Sequence, residues 1–385
     1  MGEAGKPLLI VKKVSSLLLG RASRAPSRRV AFGRPNSIGY HPLTRWIKGG
    51  ASLADRRAFT STSPRRVGSP REAGGVLREA TTLSRKDLVS LADLSREEVY
   101  EILETAKTLK LEHKAGARHD VLSGKTLAMV FQKPSLRTRV SFEVGMMELG
   151  GRAIYIGPDE IQLGKRETVE DVAIVLSRYV DGIMARVFAH KDILELARFA
   201  SVPVINGLSD LLHPCQALAD LLTVWEKKRT FESLTLAFIG DGNNVAHSLI
   251  NGCAKVGMAF RIACPKGYEP DDAIVAAARQ VGGRVQILRD PVEAATGADV
   301  LYTDTWASMG QETEAEKRRR AFAGFTIDQR LLDVAANDAL ILHCLPAHYG
   351  EEITYEASRS PGSAIFDQAE NRLHAQKAVL ALLLR

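Results

Sequence analysis

The chain has 385 residues, 45% of them hydrophobic, which is enough for two domains with complete cores. Its formal net charge of +7 does not indicate nucleic-acid binding by the folded part, because the excess positive charge lies in residues 1–70. That segment holds 14 lysines and arginines but only Glu3 and Asp55 as acids, and the remaining residues carry a small net negative charge.

Residues 1–70 have the composition of an organelle transit peptide, since they are rich in arginine and serine and nearly free of acids. The segment from Arg56 to Arg66 is typical of a mitochondrial processing region. We therefore predict a transit peptide or disordered leader and a protein of the mitochondrial matrix, with the plastid stroma as the alternative. Lys12 and Lys13 interrupt the apolar residues of the leader, whose apolar parts are too short to span a bilayer.

The cysteines do not predict a disulfide scaffold or a metal cluster. None form a C-x-x-C pair, and none lie in a Cys/His cluster of metal-binding spacing. Reduced thiols are the expectation for a chain of this size. The four cysteines are Cys215, Cys253, Cys264 and Cys344.

The first half of the chain predicts alternating helices and strands. A helical, amphipathic pattern begins at about residue 85. Buried strands are predicted at 126–131, 152–157, 182–187 and 203–206. Helices are predicted at 135–149, 167–180 and 191–200. Leu136, Val140, Val144 and Met147 share one face of the helix 135–149.

A long apolar-striped helix at 214–228 separates this half from a second alternation, and Pro214 suits its first turn. The strands predicted after it are 234–240, 260–265, 284–288, 299–304 and 339–344. The helices predicted between them are 244–257, 271–282 and 291–298, and a final helix spans 367–385. Such alternation is typical of right-handed βαβ units and parallel sheets.

The predicted fold class is therefore α/β, with two doubly wound parallel-sheet lobes joined by a bridging helix and a C-terminal helix that packs back. The predicted divisions are the leader 1–70, a first lobe 80–213, a second lobe 214–366, and the helix 367–385 returning to the first lobe. Ligands of open parallel sheets bind beyond the carboxyl ends of the strands. The polar residues that follow the predicted strands should therefore meet at one cleft between the lobes.

The segment FQKPSLRTRVSFEVG, residues 131–145, predicts an anion site at a helix N-terminus. A helix start offers free backbone N–H groups and the positive end of its dipole, and Ser135 can cap it while Arg137 adds a bidentate donor. Arg186 and Arg372 would complete the charge needed for a dianion. The alternatives are a plain capped helix with solvated arginines, and salt bridges at Arg186 and Arg372.

Two further segments provide neutral polar groups. In HPCQ, His213 and Gln216 are three residues apart at a helix start, and a neutral imidazole and an amide suit a carbonyl oxygen and an amide nitrogen. The alternative for His213 is capping or packing. FIGDGNN lacks the G-x-G-x-x-G spacing of a dinucleotide loop, so Asn243 and Asn244 are instead expected to bind the carboxylate and amine of a small zwitterion.

The last two motifs follow predicted strands. In DTWASMG, Asp304 precedes Ser308 by four residues, and both are candidate binding residues. The alternative to a binding role is an N-capped loop. In HCLPAH, His343 and His348 lack further ligands in register for a metal site. Cys344 is expected to be partly buried. The alternative to a functional role for Cys344 is an inert core thiol.

Six motifs in this order, SLRTR, HPCQ, DGNN, DTWASMG, HCLP and AENR, resemble those of the carbamoyltransferase family, in particular its ornithine-using members. The resemblance covers about residues 85–385. It implies that carbamoyl phosphate binds to Ser135, Leu136, Arg137, Thr138, Gln162, Arg186, His213, Gln216, Cys344, Leu345 and Arg372. It implies that ornithine binds to Asn244, Asp304, Ser308 and Met309.

The resemblance also implies a homotrimer in which Gln162 reaches a neighbouring subunit's site. Leu136 departs from the threonine or glycine usual in the family, which leaves a backbone contact but removes a side-chain hydroxyl. The implied catalytic residues are Arg137, His213, Asp304 and Cys344, and no metal or organic cofactor is implied. The lobe 80–213 would bind carbamoyl phosphate and the lobe 214–366 would bind ornithine.

Several alternatives stay open. An aspartate-using member would share S-x-R-T-R and H-P-x-Q but would lack the S-M-G loop and Cys344. Putrescine or an acetylated ornithine as the acceptor is harder to exclude. A nucleotide-dependent dehydrogenase would need a true glycine fingerprint and an acid about twenty residues further on. An inactive binding subunit would be expected to lose one of the arginines, and all are present.

Overall fold

The computed structural model describes residues 83–307 and 314–385 and contains two parallel β-sheets flanked by helices, which confirms the predicted fold class. The predicted leader 1–70 lies outside the described residues. No helix in the described part of the chain is both long and apolar enough to cross a bilayer.

The first sheet has four parallel strands in the order β2-β1-β3-β4. Its strands are β1 (Thr126–Phe131), β2 (Arg152–Ile156), β3 (Gly182–Arg186) and β4 (Val204–Leu208). β1 and β3 lie in the middle of the sheet, and their apolar residues are fully buried, as expected for strands covered on both faces. The chain leaves β1 toward one edge and β3 toward the other, so a topological switch point lies between these two strands.

The helices of this half are α1 (Arg96–Lys114), α2 (Leu136–Glu148), α3 (Pro158–Ile161), α4 (Val169–Leu176) and α5 (His190–Phe199). The helical pattern predicted from about residue 85 was wrong at its start. Leu88 instead forms a parallel bridge with Ile205, and the helix begins only after Ser95, whose side chain forms a capping box with Glu98. This cap overrides the apolar spacing of the preceding residues.

The second sheet has five parallel strands in the order β7-β6-β5-β8-β9. Its strands are β5 (Thr235–Ile239), β6 (Ala259–Ala263), β7 (Val285–Leu288), β8 (Val300–Thr303) and β9 (Leu340–His343). Its helices are α7 (Asn244–Val256), α8 (Asp272–Gln280), α9 (Pro291–Ala295), α10 (Ala315–Ala321) and α11 (Gln329–Val334). The switch point of this sheet lies between β5 and β8.

Two long helices connect the halves. The bridging helix α6 (Pro214–Lys228) is buried from Pro214 to Val224. The C-terminal helix α12 (Ile365–Leu384) packs against α1, α2 and α6, so it returns to the first half as predicted. Gly182 at the start of β3 allows this contact, because a Cβ there would lie 3.0 Å from the Leu384 side chain.

The apolar stripe predicted on α2 does not face the core. Leu136, Val140 and Met147 are 75%, 46% and 67% exposed. The buried side of α2 is instead formed by Thr138, Phe142, Gly145 and Met146. Ile154 on the neighbouring edge strand β2 is also 51% exposed, so the described chain has an apolar surface here, which we call the α2/β2 face: Val140, Met147 and Ile154.

Candidate active site

A cleft of about 320 Å³ lies at the carboxyl ends of both sheets, beside both switch points. Its wall contains the last residues of β3 and β4, residues that directly follow β8 and β9, the starts of α2, α6 and α7, and one residue of α12. Twelve of the predicted site residues line this one cleft: Ser135, Leu136, Arg137, Thr138, Arg186, His213, Gln216, Asn244, Asp304, Cys344, Leu345 and Arg372.

The N-terminus of α2 forms one wall. Ser135 is the N-cap, and its Oγ accepts a hydrogen bond from the Thr138 N–H at 3.3 Å while donating to Thr138 Oγ1 at 3.0 Å. The N–H groups of Leu136 and Arg137 belong to the first turn, where a helix has no internal acceptor for them. They are therefore suited to an anion in the cleft.

Two buried arginines approach the same wall. Arg372, on α12, donates from Nη1 to Gln216 Oε1 at 2.7 Å and from Nη2 to Thr138 Oγ1 at 3.2 Å. Both partners are neutral, so they do not compensate the charge of Arg372. They differ in this from the salt bridge that was the alternative for Arg372.

Arg186 is the last residue of β3, where the register with β4 shifts by one residue. Its Nε has no hydrogen-bond partner among the described residues. Burial, together with the charges of Arg372 and Arg137, lowers the pKa of Arg186 to about 10. A guanidinium held so close to other cations favours a strongly negative ligand.

His213 is held neutral. Burial lowers its pKa well below the usual value, and the nearby charges of Arg372, Arg186, Lys133 and Arg137 act in the same direction. Its backbone N–H donates to Ser248 Oγ at 2.7 Å, while its Nδ1 is buried without a partner among the described residues. A neutral imidazole can donate a hydrogen bond to a carbonyl oxygen without adding charge.

Lys133, which was not among the predicted site residues, also lines the cleft. Burial lowers its pKa to about 8, and repulsion from Arg186 contributes to the shift. Its Nζ lies 4.9 Å from the centre of the Phe188 ring. The sequence signal was its position two residues before Ser135, in the turn between β1 and α2.

The opposite wall comes from the second sheet. Cys344 donates from Sγ to Asp304 Oδ1 at 2.9 Å. Burial raises the pKa of Cys344 well above its usual value, and the Asp304 carboxylate adds to this effect, so the group is a neutral thiol. Asp304 also accepts from Asn243 Nδ2 and from the Thr305 N–H, both at 2.8 Å. Its carboxylate is therefore fixed in orientation.

The two asparagines of the DGNN motif have separate positions. Asn243 is the N-cap of α7, since its Oδ1 accepts from the N–H groups of Val245 and Ala246. Its side chain therefore supports Asp304 and the helix. Asn244 lines the cleft, and its Nδ2 donates to the Ser209 carbonyl at 2.6 Å. The Asn244 side-chain oxygen remains available to face a ligand.

Metal ligation does not suit the groups of this wall together with His343, which lies next to it. The ligand atoms of Asp304, His343 and Cys344 lie within 4.8 Å of one another. However, His343 Nδ1 accepts from the Leu345 N–H and Nε2 faces Glu352 Oε1 at 3.1 Å, so both ring nitrogens are used within the protein.

Of the other three predicted residues, only Gln162 is described by the structure. Gln162 is at the end of α3 in a separate depression, together with Gln132, Lys165 and Phe188. It does not contact the cleft of its own chain. Ser308 and Met309 lie outside the described residues.

Two family models match successive parts of the chain. Residues 86–226 match the aspartate/ornithine carbamoyltransferase, carbamoyl-P binding domain. Residues 232–383 match the aspartate/ornithine carbamoyltransferase, Asp/Orn binding domain. Together they span both sheets and the helices that line the cleft.

Individual relatives resemble the chain over nearly their whole length. Ornithine carbamoyltransferase of Pyrococcus abyssi is 56% identical over 307 residues, which are 79% of this chain and 97% of that protein. The solved structure of ornithine carbamoyltransferase from Pyrococcus furiosus has a TM-score of 0.77 at 55% identity and covers 79% of this chain and 98% of its own. The structure of ornithine carbamoyltransferase from Thermus thermophilus has a TM-score of 0.72 at 47% identity. It covers 78% of this chain and 99% of its own.

The predicted location was wrong. Relatives that are 51 to 56% identical include proteins of Pyrococcus abyssi, Symbiobacterium thermophilum and Methanosarcina acetivorans, which are archaea or bacteria. Such organisms have neither mitochondria nor plastids, and this finding overturns the mitochondrial matrix and plastid stroma inferred from residues 1–70. Arginine-rich composition alone was an insufficient basis for the assignment.

Proposed function

Because the chain belongs to the aspartate/ornithine carbamoyltransferase family, we propose that its cleft transfers the carbamoyl group of carbamoyl phosphate to the δ-amine of L-ornithine. The products are L-citrulline and phosphate. The observation that carries this proposal is the single cleft that joins a strongly positive wall to a wall containing a carboxylate and a neutral thiol.

Carbamoyl phosphate binds at the positive wall. Its phosphate accepts hydrogen bonds from the first turn of α2 and from Ser135 and Thr138, and it neutralises Arg137, Arg186 and Arg372. The unpartnered Arg186 Nε supports this assignment, because a buried polar group without a hydrogen bond costs about 1–3 kcal/mol. Gln216 orients Arg372 through its Oε1, and its remaining N–H faces the cleft.

The carbamoyl group lies between the walls, near His213 and Leu345. Attack on its carbon places negative charge on the carbamoyl oxygen in a tetrahedral transition state. Arg137 and neutral His213 donate hydrogen bonds to that oxygen, and donors fixed before the reaction stabilise developing charge most effectively.

Ornithine binds at the opposite wall, with its amine beside Asp304 and Cys344 and its α-substituents near Asn244 and residues 308–309. An alkylamine has a pKa of about 10.4, so forming the neutral nucleophile near pH 7.5 costs roughly 4 kcal/mol. The amine nitrogen then forms a bond to the carbamoyl carbon, the bond from that carbon to the phosphate oxygen breaks, and the leaving phosphate accepts the amine proton.

We also propose a homotrimer in which each Gln162 completes a neighbouring subunit's cleft. Gln162 is too far from its own cleft to line it, and the exposed α2/β2 face is on the same half of the chain. The residues 80–213 form the carbamoyl-phosphate-binding domain in this proposal, 214–366 form the ornithine-binding domain, and 367–385 return to the first domain.

The activity is tested by incubating the purified chain with carbamoyl phosphate and one candidate amine at a time, followed by a colorimetric ureido assay. L-Ornithine should yield citrulline at a rate at least 100-fold above L-aspartate, putrescine or N-acetyl-L-ornithine. Absence of a ureido product from ornithine, or a higher rate with another acceptor, contradicts the proposal.

A further inference from the structure

The turn at residues 343–348 connects β9 to the cleft. Cys344, Leu345 and Pro346 all line the cleft. His343 is the last residue of β9, and residues 344–348 form an irregular loop without strand or helix hydrogen bonds. Side-chain hydrogen bonds therefore help to determine its shape. His343 and Glu352, which border the turn, are not among the residues of the cleft wall.

One imidazole holds the first part of the turn. His343 Nδ1 accepts a hydrogen bond from the Leu345 N–H at 2.8 Å. Since Nδ1 is an acceptor, the proton of the neutral ring is on Nε2. Nε2 lies 3.1 Å from Glu352 Oε1 and donates to it. The tautomer and the ring orientation of His343 are thereby both determined.

The same carboxylate oxygen also holds the end of the turn. Glu352 Oε1 accepts a hydrogen bond from the His348 N–H at 2.5 Å. A single oxygen thus binds the ring at residue 343 and the backbone at residue 348. The backbone of His343 is fixed separately, because its N–H donates to Gln368 Oε1 on α12 at 2.9 Å.

Burial keeps water from competing for the hydrogen bonds of this pair. The side chains of His343 and Glu352 are both fully inaccessible to solvent. A buried ionisable pair adds little stability compared with apolar residues of the same size, but removing one partner leaves the other unpaired. The pair therefore differs from apolar residues of the same size mainly in fixing the positions of the groups to which it is hydrogen-bonded.

The turn has a conformation that needs such support. Leu345 has a φ of 58°, in the left-handed region. A side chain with a Cβ pays about 1–2 kcal/mol for this conformation. The hydrogen bond from the Leu345 N–H to His343 offsets part of that cost, so loss of the pair should allow the turn to relax.

We propose that His343 and Glu352 are positioning residues that hold the turn 343–348 so that Cys344 meets the acceptor amine and Leu345 faces the carbamoyl group. Neither side chain touches the substrates. This inference rests on the proposed function. Leu345 lies near the carbamoyl group, but the phosphate is held by the positive wall, which is on other elements. The pair therefore acts mainly on ornithine, through Cys344, and less on the binding of carbamoyl phosphate.

Four variants test the proposal by steady-state kinetics in both substrates. Glu352→Ala removes both hydrogen bonds, and Glu352→Gln retains an oxygen that can accept them. His343→Asn retains an acceptor for the Leu345 N–H but loses the link to Glu352. Glu351→Ala is the matched control, because Glu351 is adjacent and its carboxylate makes a surface pair with Arg319.

Glu352→Ala should raise the KM for ornithine at least tenfold and leave the KM for carbamoyl phosphate within threefold. Glu352→Gln and Glu351→Ala should both stay within threefold of the parent, and His343→Asn should lie between Glu352→Ala and the parent. If Glu352→Ala fails to fold, the KM values of Glu352→Gln and His343→Asn test the positioning role instead.

Equal effects on both KM values, or a Glu352→Gln variant as impaired as Glu352→Ala, overturn the proposal. So does a His343→Asn variant that matches the parent. A parent chain that produces no citrulline contradicts the proposed function instead, so the two failures are distinguishable.

Discussion

At the scale of single residues, burial next to like charges determines the properties of the site. Arg186, Arg372 and Lys133 are each buried beside other cations, and their pKa values are all lowered as a result. The same field keeps His213 neutral. A dianionic ligand relieves these repulsions, which explains why so much positive charge is tolerated in one cleft.

Replacement of Arg137 is the most direct test of the role of these positive charges. Arg137→Lys should lose most of kcat, because an ammonium cannot reproduce the bidentate fork of a guanidinium. The measurement is the rate of citrulline formation at saturating carbamoyl phosphate and ornithine.

Arg139→Lys is the matched control. Arg139 is in the same first turns of α2 but is exposed and pairs with Glu143 at 3.1 Å. Its variant should keep kcat within twofold. Activity of Arg137→Lys within about threefold of the parent would refute the role given to Arg137.

At the scale of elements, glycines explain how the loops after the strands pack. Gly242 follows β5, and its N–H donates to the Tyr268 carbonyl at 2.9 Å. A Cβ at this position would lie 2.2 Å from Pro270 N and 2.4 Å from Glu269 C. The glycine of the DGNN motif is thus required by close approach of another loop's backbone, which accounts for it without a nucleotide.

Gly242→Ala should therefore lower the free energy of unfolding by about 1–3 kcal/mol, because neither backbone segment can move away without cost. Thermal or urea unfolding followed by circular dichroism measures the change. Ornithine binding should weaken as well, since Asn243 next to Gly242 supports Asp304.

Gly145→Ala provides the comparison within α2. A Cβ there would be in ordinary contact, 3.4 Å from the Lys377 side chain. Alanine is favoured over glycine in a helix, so this variant should be neutral or more stable by up to about 1 kcal/mol. A Gly242→Ala protein as stable as the parent would show that the loops can separate freely.

At the scale of the whole molecule, the exposed apolar residues concern assembly. The α2/β2 face combines a helix and an edge strand, and an uncovered edge strand beside apolar side chains favours association. In the trimer that we propose, this face contacts a neighbouring subunit and Gln162 completes that subunit's cleft.

The double variant Met147→Glu/Ile154→Glu should therefore dissociate the proposed trimer, because charges on both elements would be buried in the interface. Sedimentation velocity should show a change from trimer to monomer, and the rate of citrulline formation should fall at least tenfold. Val281→Glu is the control, since Val281 is 61% exposed in the other half of the chain. A parent chain that sediments as a monomer, or a double variant that stays trimeric, contradicts the assembly.

Local patterns in the sequence were sufficient for the strands and for the helix starts next to the cleft. The strand predicted at 126–131 is β1 without change, and Ser135 caps α2. The reason is that alternation of buried strands and capped helices is a short-range property. The βαβ rule then placed the residues that follow the strands at one edge, although Lys133, two residues before Ser135, was missed.

Only the tertiary structure decided which side of each element is buried and which distant groups meet. The apolar side of α2 faces outward because α12 covers its other side, and helical periodicity cannot distinguish a core from an exposed apolar face. Likewise, the contact of Arg372 with Thr138 depends on the return of α12 to the first half of the chain. The electrostatic field of the cleft results from this long-range packing, because burial and charge proximity depend on the three-dimensional arrangement.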